Sequence, residues 1–177
     1  YMVLTDGCVP YWKVQMATEN GETGSAEEVK KALLTSLPYS KDYEAIIGIV
    51  DHDAAGLNCY GYLNRDYIEL KSGIVKKHKN ANIYCLCIPV PGEMDKYLKK
   101  EQALNKFEIE HYFGYDFLKS HDMIRETEID GIFEIKDSKK VGFAKDICKI
   151  NTPQTFAFFK DLFEVIDEIC NYENDSY

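Results

Sequence analysis

The segment from Tyr43 to Val50 (YEAIIGIV) is an unbroken, Ile- and Val-rich run, and it constrains the fold more than any other part of the chain. It does not alternate as a half-exposed strand would, so it reads as a strand covered on both faces, the pattern of a parallel sheet. Covering both faces requires helices from elsewhere in the chain. Upstream, Trp12 to Thr18 (WKVQMAT) reads as a short strand, and Asn20-Gly21-Glu22-Thr23-Gly24 suits a turn. Ser25 with Glu28 three positions on forms a capping-box signature. Val29, Ala32, Leu33 and Leu37 then give an apolar helical stripe that Pro38 ends. Strand, helix and strand make a βαβ unit with an expected right-handed crossover.

Downstream, Gly56 to Leu63 reads as a helix, and Ile83 to Ile88 (IYCLCI) as a second buried strand stopped by Pro89 and Pro91. Leu104 to Leu118 carries one candidate helix. Thr155 to Ile169 reads as an amphipathic closing helix, with Asn151 or Thr152 near its cap and Pro153 in its first turn. The expected architecture is a single α/β domain over residues 1–177, a mostly parallel sheet flanked by helices with a more helical C-terminal part. No internal repeat or linker divides it.

A chain of 177 residues can bury roughly two thirds of its unfolded surface. A hydrophobic fraction of 45% excludes a disordered chain. The six cysteines lack C-x-x-C pairing, which points to reduced thiols in a cytoplasmic protein. Cys85 and Cys87 read as small core residues, and His78, His111 and His121 are too scattered for a zinc site. No apolar run approaches the roughly 20 residues of a membrane span. The net charge of -9 excludes whole-surface attraction to nucleic acid, so any such contact must use a local basic patch or a bridging metal. The dense basic run is Lys71 to Lys79 (KSGIVKKHK), where Lys71, Lys76, Lys77 and Lys79 either track a phosphate backbone or form a solvated loop.

Asp51-His52-Asp53 follows directly on the buried strand, and ligands of open α/β sheets bind at the carboxyl ends of strands. Alternation puts Asp51 and Asp53 on one side and His52 on the other. Two converging carboxylates repel unless a cation lies between them, and hard oxygen ligands suit Mg²⁺ or Mn²⁺. The bland alternative is a strand-end Asp51 and a helix-capping Asp53. A second candidate is Phe107-Glu108-Ile109-Glu110-His111-Tyr112-Phe113, where acids interrupt an aromatic stretch and risk costly burial unless paired or metal-bound. Otherwise these glutamates line the solvated face of a helix.

With these residues in place, Ile46 to Gly56 (IIGIVDHDAAG) resembles the D-x-D strand of TOPRIM domains, in particular those of OLD-family (overcoming lysogenization defect) nucleases. Asn20 to Gly24 before a helix resembles that family's glycine-containing turn. Ile109-Glu110-His111-Tyr112 resembles its I-E-x-[YF] motif, and Ser138-Lys139-Lys140 with Phe143-Ala144 its lysine segment. The match runs over about residues 12–170. The resemblance implies metal-dependent hydrolysis of nucleic-acid phosphodiesters, DNA before RNA, with Asp51, Asp53 and Glu110 holding Mg²⁺ or Mn²⁺ and Lys139 or Lys140 stabilising charge on the phosphate. TOPRIM enzymes also carry a Glu-Gly motif on a first strand. Tyr1 to Pro10 contains no glutamate, only Asp6-Gly7, and the spacing of Glu19 and Glu22 does not suit them as replacements. The expectation is therefore a C-terminal fragment of a longer protein, binding metal weakly and cutting feebly or not at all by itself. OLD-family proteins join TOPRIM to an ATPase domain. This sequence has no G-x-x-x-x-G-K-[ST] loop, so an ATPase partner would be a further domain or a separate chain. The rival reading is a non-catalytic TOPRIM-like module that binds nucleic acid or a partner protein. A phosphatase of the haloacid-dehalogenase type is disfavoured because Ala55 stands where D-x-D-x-[TV] needs Thr or Val.

Overall fold

A computed structural model describes residues 12–14, 26–98, 106–129, 132–147, 149–150 and 152–172. The strands are β1 (Trp12–Val14), β2 (Ala45–Val50), β3 (His52–Asp53), β4 (Tyr67–Lys71), β5 (Val75–His78), β6 (Ile83–Cys87), β7 (Lys106–Phe107), β8 (Ile124–Glu126) and β9 (Phe133–Ile135). The α-helices are α1 (Ala26–Thr35), α2 (Ala54–Tyr62), α3 (Tyr115–Ser120), α4 (Asp137–Ile147) and α5 (Lys160–Cys170).

The main sheet has the order β1-β2-β6-β5-β4, so the apolar run of β2 is an interior strand with paired neighbours on both sides. Strict alternation divides the two central strands between two layers of core. Ile46 and Val50 of β2 with Ile83, Cys85 and Cys87 of β6 pack beside Leu33, Cys59 and Tyr60 of α1 and α2. Ala45 and Ile47 with Tyr84 and Leu86 face the opposite layer, which contains Phe143 of α4 and Leu162, Val165 and Ile166 of α5. Both faces are therefore covered, which is why neither strand shows polar alternation. Burying each such aliphatic side chain contributes about 1.5–3 kcal/mol. Gly48 lets α1 approach closely, since a Cβ there would lie 2.9 Å from the Leu33 side chain.

Three expectations change. The sheet is mixed rather than mostly parallel: β1–β2 and β2–β6 are parallel, while β6–β5 and β5–β4 are antiparallel. The antiparallel half is a hairpin made from the basic run, turning through Gly73 at φ 69°. Its lysines disguised a strand, because Lys76 and Lys77 bury long side chains on opposite faces.

The described part of Leu104 to Leu118 is not one helix. It comprises β7, a 3-10 turn at Ile109–Phe113 and the short α3, broken at Gly114 with φ 76°. The closing helix is likewise divided into a 3-10 segment, Pro153–Phe159, and α5. The backbone leaves helical geometry at Phe156 (φ -108°, ψ 16°).

α1 stops at Thr35, three residues ahead of Pro38, which opens the 3-10 turn Leu37–Asp42. The expected turn at Asn20–Gly24, the Ser25 cap, residues 15–18 of the first strand, the side chain of Trp12 and Asn151 lie outside what is described. Among the described residues no helix is long and apolar enough to cross a membrane.

Candidate functional site

The D-x-D segment leaves the carboxyl end of β2 and enters α2 within a few residues, a turn that depends on Gly56. A Cβ at Gly56 would lie 1.9 Å from the Asp51 carbonyl oxygen, so only glycine lets the helix begin this close to the strand end. Asp53 is extended (φ -115°, ψ -179°) and caps α2, its Oδ1 accepting the Gly56 N–H at 2.7 Å. The bland reading therefore accounts for Asp53 in this state. It does not account for Asp51.

β3 pairs antiparallel with β7, His52 opposite Phe107 and Asp53 opposite Lys106, and this brings the acidic segment against the strand end. The Ile109 N–H then donates to Asp51 Oδ1 at 2.9 Å across 58 residues of sequence. Glu110 follows in the 3-10 turn, and Glu108 precedes it in extended conformation. α4 supplies Lys140, whose Nζ lies 2.5 Å from Glu108 Oε2, 3.4 Å from Asp137 Oδ1 and 3.9 Å from Glu110 Oε2. The Lys140 side chain is only 11% exposed, against 20% and 15% for Glu108 and Glu110. Solvent therefore screens this cluster little.

Loss of solvation pushes the Asp51 carboxyl up to about 7, with the nearby Glu110 and Glu108 adding to the rise; the Ile109 hydrogen bond and Lys140 oppose it. Burial also raises Glu108, partly countered by its bond to Lys140. Burial works against the Lys140 ammonium, but Glu110, Glu108 and Asp51 outweigh it and hold the side chain charged above its ordinary range. The cluster is an acidic pocket with one cation already inside.

His111 belongs to the structural frame rather than to the ligand set. It is 1% exposed, stacks on Phe133 at 5.0 Å, and its Nδ1 accepts the Glu108 N–H at 3.0 Å. Burial pushes it down to about 4, so it is neutral at pH 7. Among the described residues no group of three or more His, Cys, Asp or Glu side chains stands close enough to hold a metal ion. Asp51 and Glu110 lie near enough for the second to raise the first's cost of ionising. Glu110 Oε2 is closed off from solvent and accepts no hydrogen bond from the described residues.

Of the residues singled out from sequence, Asp51, Glu110 and Lys140 converge and Asp53 adjoins them. Lys139 does not converge: it is half-exposed and pairs with Asp122 Oδ2 at 3.0 Å. Adjacent helical positions point about 100° apart, so only one of the two lysines reaches the pocket.

Nor do the four lysines of the basic run form one track. Lys76 Nζ is buried on Tyr60 O and Asn64 Oδ1, both at 2.5 Å, and lies over the Tyr60 ring. Lys77 is buried on the opposite face, near the Tyr84 ring. Lys71 pairs with Glu168 at 2.9 Å, and Lys79 donates to Arg65 O at 2.6 Å.

Sequence reasoning named Glu108 within the second candidate segment but gave it no role in the site; it is the main partner of Lys140. Its signal was an acid two places before Glu110 in an aromatic stretch. The chain matches no protein-family model, no curated protein and no solved structure.

Proposed function

We propose that the chain is a TOPRIM-type domain, similar to those of OLD-family nucleases, that acts on nucleic-acid phosphodiesters with Mg²⁺ or Mn²⁺. The observation that carries the proposal is the meeting of Asp51, at the carboxyl end of an interior parallel strand, with Glu110 and Lys140 from two distant segments. Asp51 and Glu110 fit such a cation in kind. They are hard oxygen donors, Glu110 raises the cost of ionising Asp51, and Glu110 keeps one buried oxygen without a hydrogen bond from the described residues. Asp53 Oδ1 is engaged by the Gly56 N–H, and among the described residues no third carboxylate stands close enough to complete a metal site.

The metal would supply activation of water and neutralisation of charge on the scissile phosphate. In this reading Lys140 offers an ammonium point charge to the phosphate oxygens, Glu108 holds that ammonium in place, and Ile109 N–H orients Asp51. The reading predicts Mn²⁺ binding in isothermal titration that Asp51→Asn abolishes; the chain by itself cuts plasmid feebly or not at all, and whatever cleavage it shows needs metal and is lost in the same variant. Metal binding unchanged by the substitution, or cleavage that persists in EDTA, would overturn it.

One observation favours the rival, a non-catalytic binding module. Lys140 Nζ already sits between Glu108 and Glu110 and offsets part of the pocket's negative charge without a metal. That module would retain DNA or a partner protein and bind no Mn²⁺.

A further inference from the structure

We propose that an aromatic cavity adjoining Glu110 and Lys140 is a subsite for one unstacked nucleobase of a single-stranded or locally opened nucleic acid; the proposal rests on the phosphodiester reading above. The cavity lies between the Ile109–Phe113 turn, α4, the Pro153–Phe159 segment and α5. Its walls include Phe113, Phe143, Phe156, Phe159 and Phe163, with Ala144 leaving space on the α4 side. Its volume of about 120 Å³ is below the roughly 150 Å³ of an apolar cavity that takes up benzene, so a single six-membered ring is the most it admits. The walls brace one another edge to face: Phe113 meets Phe143 at 5.2 Å and 87°, and Phe159 at 5.0 Å and 63°. Aromatic walls of this kind are what proteins offer to unstacked bases, which present a flat π face whatever their sequence.

Glu110 and Lys140 are the two charged residues of the lining, and both belong to the candidate site. Glu110 Oε2 has no hydrogen-bond partner among the described residues, and the Lys140 ammonium stays 3.9 Å away. A nucleobase answers two features of the cavity together: a flat aromatic body for its phenylalanine walls, and a phosphate tether leading toward Lys140 and Asp51.

The test compares two fluorescein-labelled probes by anisotropy in EDTA, a short single-stranded deoxyoligonucleotide and an all-abasic backbone of the same length. Stacking of one base predicts roughly tenfold tighter binding of the base-bearing probe. Ala144→Leu, which fills the cavity from α4 and replaces neither Glu110 nor Lys140, should erase that preference and leave the abasic probe bound. Phe156→Leu, which removes one ring, should weaken it, and melting curves establish which variants are folded. Equal affinities for the two probes, no measurable binding of either, or an undiminished preference in a folded variant would overturn the subsite. Because no metal is present, the outcome is separable from the nuclease reading. In separate titrations, base preference without Mn²⁺ binding that depends on Asp51 keeps the subsite and removes the nuclease; such Mn²⁺ binding without base preference does the reverse.

Discussion

Replacing Asp51 with Asn should stabilise the metal-free protein at pH 8 while abolishing the proposed metal site. The buried carboxyl rises from an ordinary 3.8 to about 7. Between those values the native state holds a proton that the unfolded chain has released. Stability therefore falls as pH climbs through this window and levels off above it. At about 1.4 kcal/mol per unit the full shift corresponds to about 4 kcal/mol, and sharing of charge with Glu110, Glu108 and Lys140 brings the expected effect to about 2–4 kcal/mol. Asn keeps an oxygen for the Ile109 N–H, so the hydrogen bond at 2.9 Å survives the change. Urea unfolding in EDTA at pH 4, 6 and 8 gives the comparison. The variant should match the wild type near pH 4 and exceed it by about 2–4 kcal/mol at pH 8, with the same dependence on urea. Addition of Mn²⁺ at pH 8 should then stabilise the wild type alone. A variant less stable than the wild type at pH 8, or a difference that does not change with pH, would refute the argument that Asp51 is held against its own charge.

Lys140→Met should lower the melting temperature by about 5–15 °C, because it leaves Glu108 buried without its cation, a loss of about 2–4 kcal/mol; a melting temperature within about 2 °C of the wild type counts against the cluster. Gly56→Ala should cost about 3 kcal/mol or more and weaken Mn²⁺ binding, since a Cβ would lie 1.9 Å from the Asp51 carbonyl oxygen; urea unfolding reads the first and titration the second. Lys76→Met should leave DNA affinity within about twofold, because its ammonium is committed to Tyr60 O and Asn64 Oδ1; a salt dependence shallower by about one would return Lys76 to the phosphate contacts.

The sequence alone determined β2 and β6, because a strand buried on both faces needs an apolar residue at nearly every position. It also determined where the D-x-D falls, immediately after β2, and the approximate extent of α2. It did not determine the β4–β5 hairpin, because lysine is polar at its tip and apolar along its stem, and only the packing against Tyr60 and Tyr84 decides which part counts. Nor did it determine that Ile109–Phe113 is a tight turn rather than part of a helix, which rests on extended backbone at Glu108 and a left-handed Gly114. Asp51, Glu110 and Lys140 could each be singled out from local pattern, but their meeting could not. That meeting depends on β3 pairing with β7 and on α4 turning one of two adjacent lysines inward, and such long-range contacts leave no periodicity in a single sequence. The aromatic cavity was the least legible feature. Its phenylalanines come from three separate segments of the chain, and each taken singly reads as ordinary core.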